Sequence, residues 1–327
     1  MAETETGITA AAEETPVAGI TGIPVVETET ITATRVLKNG LNKTLMNKRK
    51  GCQIKLTAFF IEIKLERQLI HLKMQIIPLS EGVFTIDKTK IFVPFDLEND
   101  DLQKRPLGSL LVEVQPFVVV TTKDVLLLDT GLGFSKHGEL QLYTNLKANN
   151  IQPESITKVL LTHLHKDHAG GVSVKDRLGN YHLSFPNATY YVQKKEMEFA
   201  METGFPSFMA EEISILQYEK NVVLLDGDGT IDNYISYHVT GGHSPYHQVY
   251  WIKEKDEIIF FGGDDAPQLQ QMKNKFVAKY DYDGKKCMEL RQQWWQQGQN
   301  EGWTFLFYHD VKAPYLKNKA DNNTSVE

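Results

Sequence analysis

Cysteine is nearly absent: the 327 residues include only Cys52 and Cys287. Two thiols so far apart, in unrelated contexts, can build neither a disulfide framework nor a CxxC metal site, which leaves a reducing, cytoplasmic setting as the default expectation. Long apolar runs are missing too. No stretch reaches the roughly 18 consecutive apolar residues of a membrane span, and Phe117–Val120 runs straight into Thr121, Thr122, Lys123 and Asp124. Basic residues are in the minority, 35 Lys+Arg against 42 Asp+Glu for a net charge of −7. That balance argues against a broad phosphate-neutralising surface, so no nucleic-acid partner is expected, although a local basic groove is compatible with it. The first thirty residues lack the order of a secretory signal, because Glu3, Glu5, Glu13 and Glu14 come first, and their acidity disfavours a mitochondrial leader. What is present is ordinary globular composition, 41% hydrophobic and 24% charged, enough for a large buried core and suited to an acidic enzyme of small molecules.

The character of the chain changes at Met74. Residues 1–35 are rich in Thr, Ala and Glu, and Lys38, Lys43, Lys48, Arg49 and Lys50 then form a basic stretch; neither piece has the apolar periodicity to fold alone. The run 57–73 is compatible with an amphipathic helix or a strand. With 10 Lys+Arg and 8 Asp+Glu in residues 1–73, the remaining 254 residues hold 25 and 34, a charge of −9. Residues 1–73 are therefore expected to be a poorly ordered extension, or an upstream reading of a gene whose start is Met74, ahead of a hydrolase-like domain at 74–327. From Met74, MQIIPLSEGVFTID and KIFVPF read as short strands around a turn at Ser80, Glu81 and Gly82.

The most informative segment is 156–172, ITKVLLTHLHKDHAGGV. A short β-branched and leucine strand at 158–161 ends at Thr162, and a polar loop then presents His163, His165, Asp167 and His168 before Gly170 and Gly171. Three imidazoles and a carboxylate within six positions cannot be spread along one helix face, yet a turn at a strand end can aim them at two neighbouring points, a seat for a pair of metals. Of the remaining histidines, His71, His137, His182, His238 and His247 are read as exposed or hydrogen-bonded residues without metal.

Thr162 to Gly171 resembles the metallo-β-lactamase superfamily signature THxHxDHxGG residue for residue, and later segments follow in the order that family requires. The resemblance implies that Asp129, in VLLLDTGLG, braces the histidine loop without binding metal. It implies a first metal on His163, His165 and His243 (in HVTGGHSPYH), and a second on Asp167, His168 and His309 (in FLFYHD), with Asp264 (in IIFFGGDDAP) bridging both. Asp265 competes with Asp264, since only one of two neighbours on an extended strand end faces the site. The family's Gly-Asp pattern favours Asp264 and leaves Asp265 solvated or turn-capping. The implied fold is α/β (α+β), a four-layer αββα sandwich with the metals at one edge of two mixed sheets. Strands at Val222–Leu225, 249–252 and 258–261 and a helix at 285–297 agree with it. Trp294 and Trp295 on that helix are read as packing rather than pocket cover.

Imidazole and carboxylate without thiolate suit two Zn2+ per chain, and equally admit Mn2+, Fe2+ or Co2+. Flavodiiron relatives carry an acid where this chain has His165, which leans the reading toward zinc hydrolysis. The implied chemistry is attack by a metal-bridging hydroxide on a polarised carbonyl carbon, with Asp167 orienting the hydroxide and taking its proton, and the second metal stabilising the leaving oxygen or sulfur. Catalytic roles fall on Asp167 and Asp264; no GxSxG elbow is present. The segments 185–200 and 278–294 look like the lactonase and organophosphate-hydrolase branch, so a small-molecule ester or lactone is the expected substrate. One departure concerns acyl-homoserine lactonases, which carry a Tyr three positions after the bridging Asp, where this chain has Pro267. Tyr246, Tyr280 and Tyr282 are candidates to replace it. Met197, Phe199, Met201, Phe205, Phe208 and Met209 are read as helical core rather than pocket mouth. The alternatives are a glyoxalase II-like thioester hydrolase, for which Lys273, Lys275 and Lys279 supply basic residues, and a non-catalytic metal-binding scaffold. Members of the family are often dimers, so a homodimer is one expected assembly.

Overall fold

Alternating apolar side chains along short strands decide the layering, because successive residues of a strand face opposite sides. The computed structural model describes residues 73–136 and 138–318. The readings of 1–72, including the helix-or-strand choice, Cys52 and His71, and the reading of His137, lie outside the described residues. Six strands form a first sheet in their chain order: β1 (Gln75–Pro78), β2 (Phe117–Val120), β3 (Val125–Leu128), β4 (Lys158–Leu160), β5 (Thr189–Gln193) and β6 (Val222–Leu225). The first three are antiparallel, and from β3 onward the pairing is parallel. A second sheet holds β7 (Gly229–Ile231), β8 (Ile235–Val239), β9 (Gln248–Glu254), β10 (Glu257–Phe261), β11 (Thr304–Leu306) and β12 (Tyr315–Lys317), again in chain order. Only β10 and β11 run parallel in it.

Alternation sorts these strands into three apolar layers. Val119, Leu126, Leu128 and Leu160 face Tyr250, Ile252, Phe261 and Leu306 between the sheets. Their neighbours Val118, Leu127 and Val159 face outward onto helices α1 (Gln141–Ala148) and α3 (Lys194–Thr203), through Leu142, Leu146, Met197 and Ala200. On the far side, Val249, Phe260 and Phe305 pack with Met272 of α5 (Leu269–Lys273) and Trp294 of α6 (Gly284–Glu301). Each such fully buried side chain contributes about 1.5–3 kcal/mol of transfer free energy. The result is the four-layer αββα sandwich. Short helices α2 (Lys166–Ala169) and α4 (Ala210–Ile213) lie in the connections.

Helix α6 starts where the Asp283 carboxylate accepts the Lys286 N–H at 3.0 Å and stops at Gly302, which adopts φ 72°. Trp294 packs on Phe260 with ring centroids 4.9 Å apart and Trp295 on Phe305 at 5.5 Å, so both serve packing. A three-stranded antiparallel sheet of Gly82–Ile86, Phe92–Pro94 and Leu110–Val114 is inserted between β1 and β2. Among the described residues no helix is long and apolar enough to cross a membrane.

Candidate metal centre

Strand β4 ends at Leu160, and the chain after it carries His163, His165, Asp167 and His168 into the edge of the sandwich. The segment is not wholly a loop as its polarity suggested: Lys166–Ala169 closes one α-helical turn. His243 follows β8, Asp264 sits in a 3-10 turn after β10, and His309 follows β11. Both sheets thus contribute.

The seven side chains fall into two groups, each able to hold a metal ion: His163, His165, His243 and Asp264, and Asp167, His168 and His309. In the first, His163 Nε2 lies 2.9 Å from His165 Nδ1, which lies 3.1 Å from His243 Nε2, itself 3.1 Å from Asp264 Oδ2. These spacings are close to the roughly 3.3 Å edge of a tetrahedron built on zinc bonds of about 2.0–2.1 Å. The other oxygen of Asp264 reaches the second group, 3.1 Å from His168 Nε2 and 3.0 Å from His309 Nε2. Asp264 therefore stands between the two. Asp167 Oδ2 lies 3.4 Å from His309 Nε2 and 3.7 Å from His168 Nε2.

Outer hydrogen bonds fix which ring nitrogens face the centre. His168 Nδ1 donates to Asp129 at 2.8 Å, His243 Nδ1 to Asp281 at 2.9 Å, and His309 Nδ1 to the Glu113 carbonyl at 2.6 Å. The Thr162 hydroxyl donates to Asp129 at 2.8 Å, so it accepts from His163 Nδ1 at 3.0 Å. With Nδ1 proton-bearing in all four rings, each Nε2 is left as a lone-pair donor turned inward, the usual arrangement of metal-binding imidazoles. Asp129 itself adopts φ 55° and is fully buried, held by Thr162 N–H and hydroxyl and by His168.

The charges are strongly coupled. Burial works against a charged His168, but Asp264, Asp167 and the bond to Asp129 outweigh it and hold its pKa well above the ordinary imidazole value. Burial likewise opposes charge on His309, and Asp264 and Asp167 push it up to about 10. Against the same burial, His309, His168 and His243 hold Asp264 well below the usual carboxylate range, and His168 and His309 bring Asp167 down to about 2. His163 and His165 go the other way: burial, then neighbouring imidazoles, lower both far below the ordinary value. A cation bound here would replace the protons that the acids otherwise draw onto His168, His243 and His309.

Asp265 corrects the sequence reading. Because Gly263–Asp265 is a 3-10 turn rather than extended strand, both acids point inward at different depths. Asp265 is fully buried, neither solvated nor merely capping: it accepts the His243 N–H at 2.7 Å and contacts His247 Nδ1 at 3.1 Å. Buried His247 in turn accepts the Asp264 N–H at 3.3 Å. His182 and His238 are exposed and paired with Asp176 and Asp228.

Three further acids had no sequence signal. Glu196 of α3, fully buried, accepts the Leu164 N–H at 3.1 Å and the Ser244 hydroxyl at 2.9 Å, tying the His163 and His243 segments together. Burial raises its pKa. Asp281 orients His243, and Glu113 carries the carbonyl that orients His309.

A cavity of about 580 Å3 opens over the cluster, reaching His165, Asp167, His243, Asp264 and His309. Tyr280 lines it with its ring 6.2 Å from His243, whereas Tyr282 is exposed and Tyr246 packs on Phe199, neither in the lining. Of the three candidate tyrosines, Tyr280 is thus the one in the cavity lining, which Pro267 also joins. Met197 and Phe208 are buried in the core, with Phe199 and Met201 packed against it, while Phe205 is exposed.

A fold of two facing sheets with a His/Asp cluster at their edge is that of the metallo-beta-lactamase superfamily. The sequence model of that superfamily matches residues 112–286, more than half of the chain, and the protein belongs to it. Solved structures agree. A probable metal-dependent hydrolase from Staphylococcus aureus is similar at TM-score 0.61 and 22% identity, over 76% of this chain and 93% of that one. The hydrolase AbOPH of the beta-lactamase superfamily is similar at 0.59 and 26%, over 76% and 91%. The dizinc quorum-quenching lactonase AidC, solved with a product homoserine, is similar at 0.57 and 18%, over 77% and 92%. No curated protein matches the sequence.

Proposed function

We propose that the protein is a dinuclear metal hydrolase, zinc foremost, that cleaves an ester or lactone bond of a small molecule. One observation carries the reading: inward-turned ring nitrogens from both sheets converge on Asp264, whose two oxygens face the two groups and whose Oδ1 is buried without a hydrogen-bond donor. Five imidazoles and two carboxylates without thiolate fit divalent zinc and its neighbours. His163, His165 and His243 would hold one ion, Asp167, His168 and His309 the other, and Asp264 both. When bound, such ions supply a nucleophile from water at neutral pH and a Lewis acid for a carbonyl.

The protein's own groups do the rest. Asp167, at the cavity floor and kept ionised, is an acceptor for the proton that water gives up. Tyr280, whose hydroxyl burial pushes up to about 12, stays protonated and can donate to a substrate oxygen. Asp129 and Asp281 keep the His168 and His243 imidazoles from turning, while Asp265 and Glu196 hold the backbone segments that carry His243 and His163. The structural likeness to AbOPH and to a lactonase supports this choice of substrate class.

Metal analysis of the purified protein is expected to find two equivalents of cation. A zinc-loaded panel of lactone, aryl ester, thioester, phosphotriester and single-stranded RNA is expected to show turnover of lactone or ester. His163→Ala and Asp264→Ala should each remove metal and lower kcat/KM by at least about a thousandfold. Thioester turnover alone would favour the glyoxalase II-like alternative, and full activity in metal-free protein overturns the reading.

A further inference from the structure

The chain as a whole is acidic. The cavity over the cluster is lined by Lys88, Lys90, Lys166 and Lys279, although the net charge is −7. Among the described residues none of these four has a carboxylate within ion-pair distance, in contrast to Lys158, which is held by both Asp124 and Asp232. Asp87, the acid beside them, turns its carboxylate to the Thr89 N–H at 2.9 Å and the Thr89 hydroxyl. Burial lowers the Lys166 pKa, Asp167 pulls it back up, and the charge of Lys90 lowers it further, so Lys166 and Lys90 are near enough to repel each other. The Lys166 ammonium lies over the rings of Phe92 and Phe205, with Nζ 5.8 and 5.9 Å from their centroids. With Asp167 and Asp264 of the same lining committed to the cation sites, the four lysines outnumber Asp87, the one remaining carboxylate of the lining, and leave a positive potential in the cavity.

Beside them the wall is apolar. Ile86, Phe92, Leu110, Leu111 and Val112 come from the inserted three-stranded sheet, and Phe276 comes from the chain between α5 and α6. Leu110 and Phe276 are 40% and 41% exposed, so this surface is presented to whatever enters. Pro267 adds an apolar face where acyl-homoserine lactonases carry a tyrosine.

We infer that the substrate is an anionic amphiphile: an ester, lactone or thioester whose apolar chain lies along the Phe92–Leu110 wall and whose carboxylate or phosphate is met by the lysines. This rests on the hydrolase reading and narrows it. Neutral acyl lactones would use only half of the cavity.

The test compares two 4-nitrophenyl esters on the full zinc-loaded chain, the octanoate and the half-ester of suberic acid, which differ at the far end by methyl against carboxylate. The anionic ester is expected to have a kcat/KM at least about tenfold higher at low salt, with the advantage shrinking toward one as salt screens the lysines. Lys90→Gln and Lys279→Gln should each cut that ratio severalfold, and Lys285→Gln, on α6 outside the cavity, should leave it unchanged. A ratio of one or less overturns the inference while leaving hydrolysis standing. If neither ester is cleaved, the lactone and thioester arms of the panel decide the hydrolase reading, and calorimetry decides the inference separately. Octane-1-sulfonate, a poor metal ligand, should then bind tighter than octanamide; equal affinity overturns it.

Discussion

Glu81 lies beneath the turn at Gly131, where one carboxylate oxygen accepts the Leu132 N–H at 2.6 Å and the other is buried without a partner. Burial pushes the carboxyl from 4.5 up to about 7. A raised folded-state value means the native protein binds this proton more tightly than the unfolded chain does. Its contribution is full below pH 4.5 and lost as pH climbs through 7. Glu81→Gln, which keeps the acceptor for Leu132 but cannot ionise, should therefore match the wild type near pH 4 and exceed it by about 3 kcal/mol above pH 7. Urea unfolding at both pH values measures this, and parallel stability curves would contradict it. The sequence shows Glu81 only as part of a turn, because its partner is 51 residues away. Glu196 and Asp281 were hidden for the same reason. Their hydrogen bonds to Leu164, Ser244 and His243 span 32 to 48 residues, and no local pattern marks a buried acid whose role is to hold another side chain.

At the scale of elements, the glycine pair after His168 explains itself by contact. A methyl group on Gly171 would fall on the Thr130 carbonyl and one on Gly170 on the Leu132 carbonyl, while Thr130 binds the His168 carbonyl through its N–H at 2.7 Å. The helical turn and the β3 turn are pressed backbone to backbone. Gly171→Ala should cost about 2 kcal/mol or more and lower bound metal in step, read by thermal unfolding and metal content; an unchanged melting point with full metal would refute it. Strands such as Val222–Leu225 were legible because a short apolar run bounded by polar and turn residues, here Asn221 and Asp226-Gly227, is a local signal. The helical turn at Lys166–Ala169 was not, since three polar residues and one alanine carry no apolar period. The inserted sheet that forms the cavity wall was seen only as strands, with no hint of what it would face.

For the whole molecule, each metal group draws on both sheets. Cations that bind the folded form alone stabilise it by mass action, about 2.7 kcal/mol at a hundredfold excess over Kd. Removing them with a chelator should lower Tm by about 5–10 °C for a unit of this size, and zinc should restore it. A melting point indifferent to both would mean that the donors do not cooperate in a bound cation. The strand orders add a last consequence. Because each sheet is built from one continuous stretch, a cut in the connection between β6 and β7 would part the donors cleanly: His163, His165, Asp167 and His168 in one fragment, His243, Asp264 and His309 in the other. Neither fragment closes a cage alone, so two such pieces would reassemble under the control of the ion, which acts as a rivet through the seam.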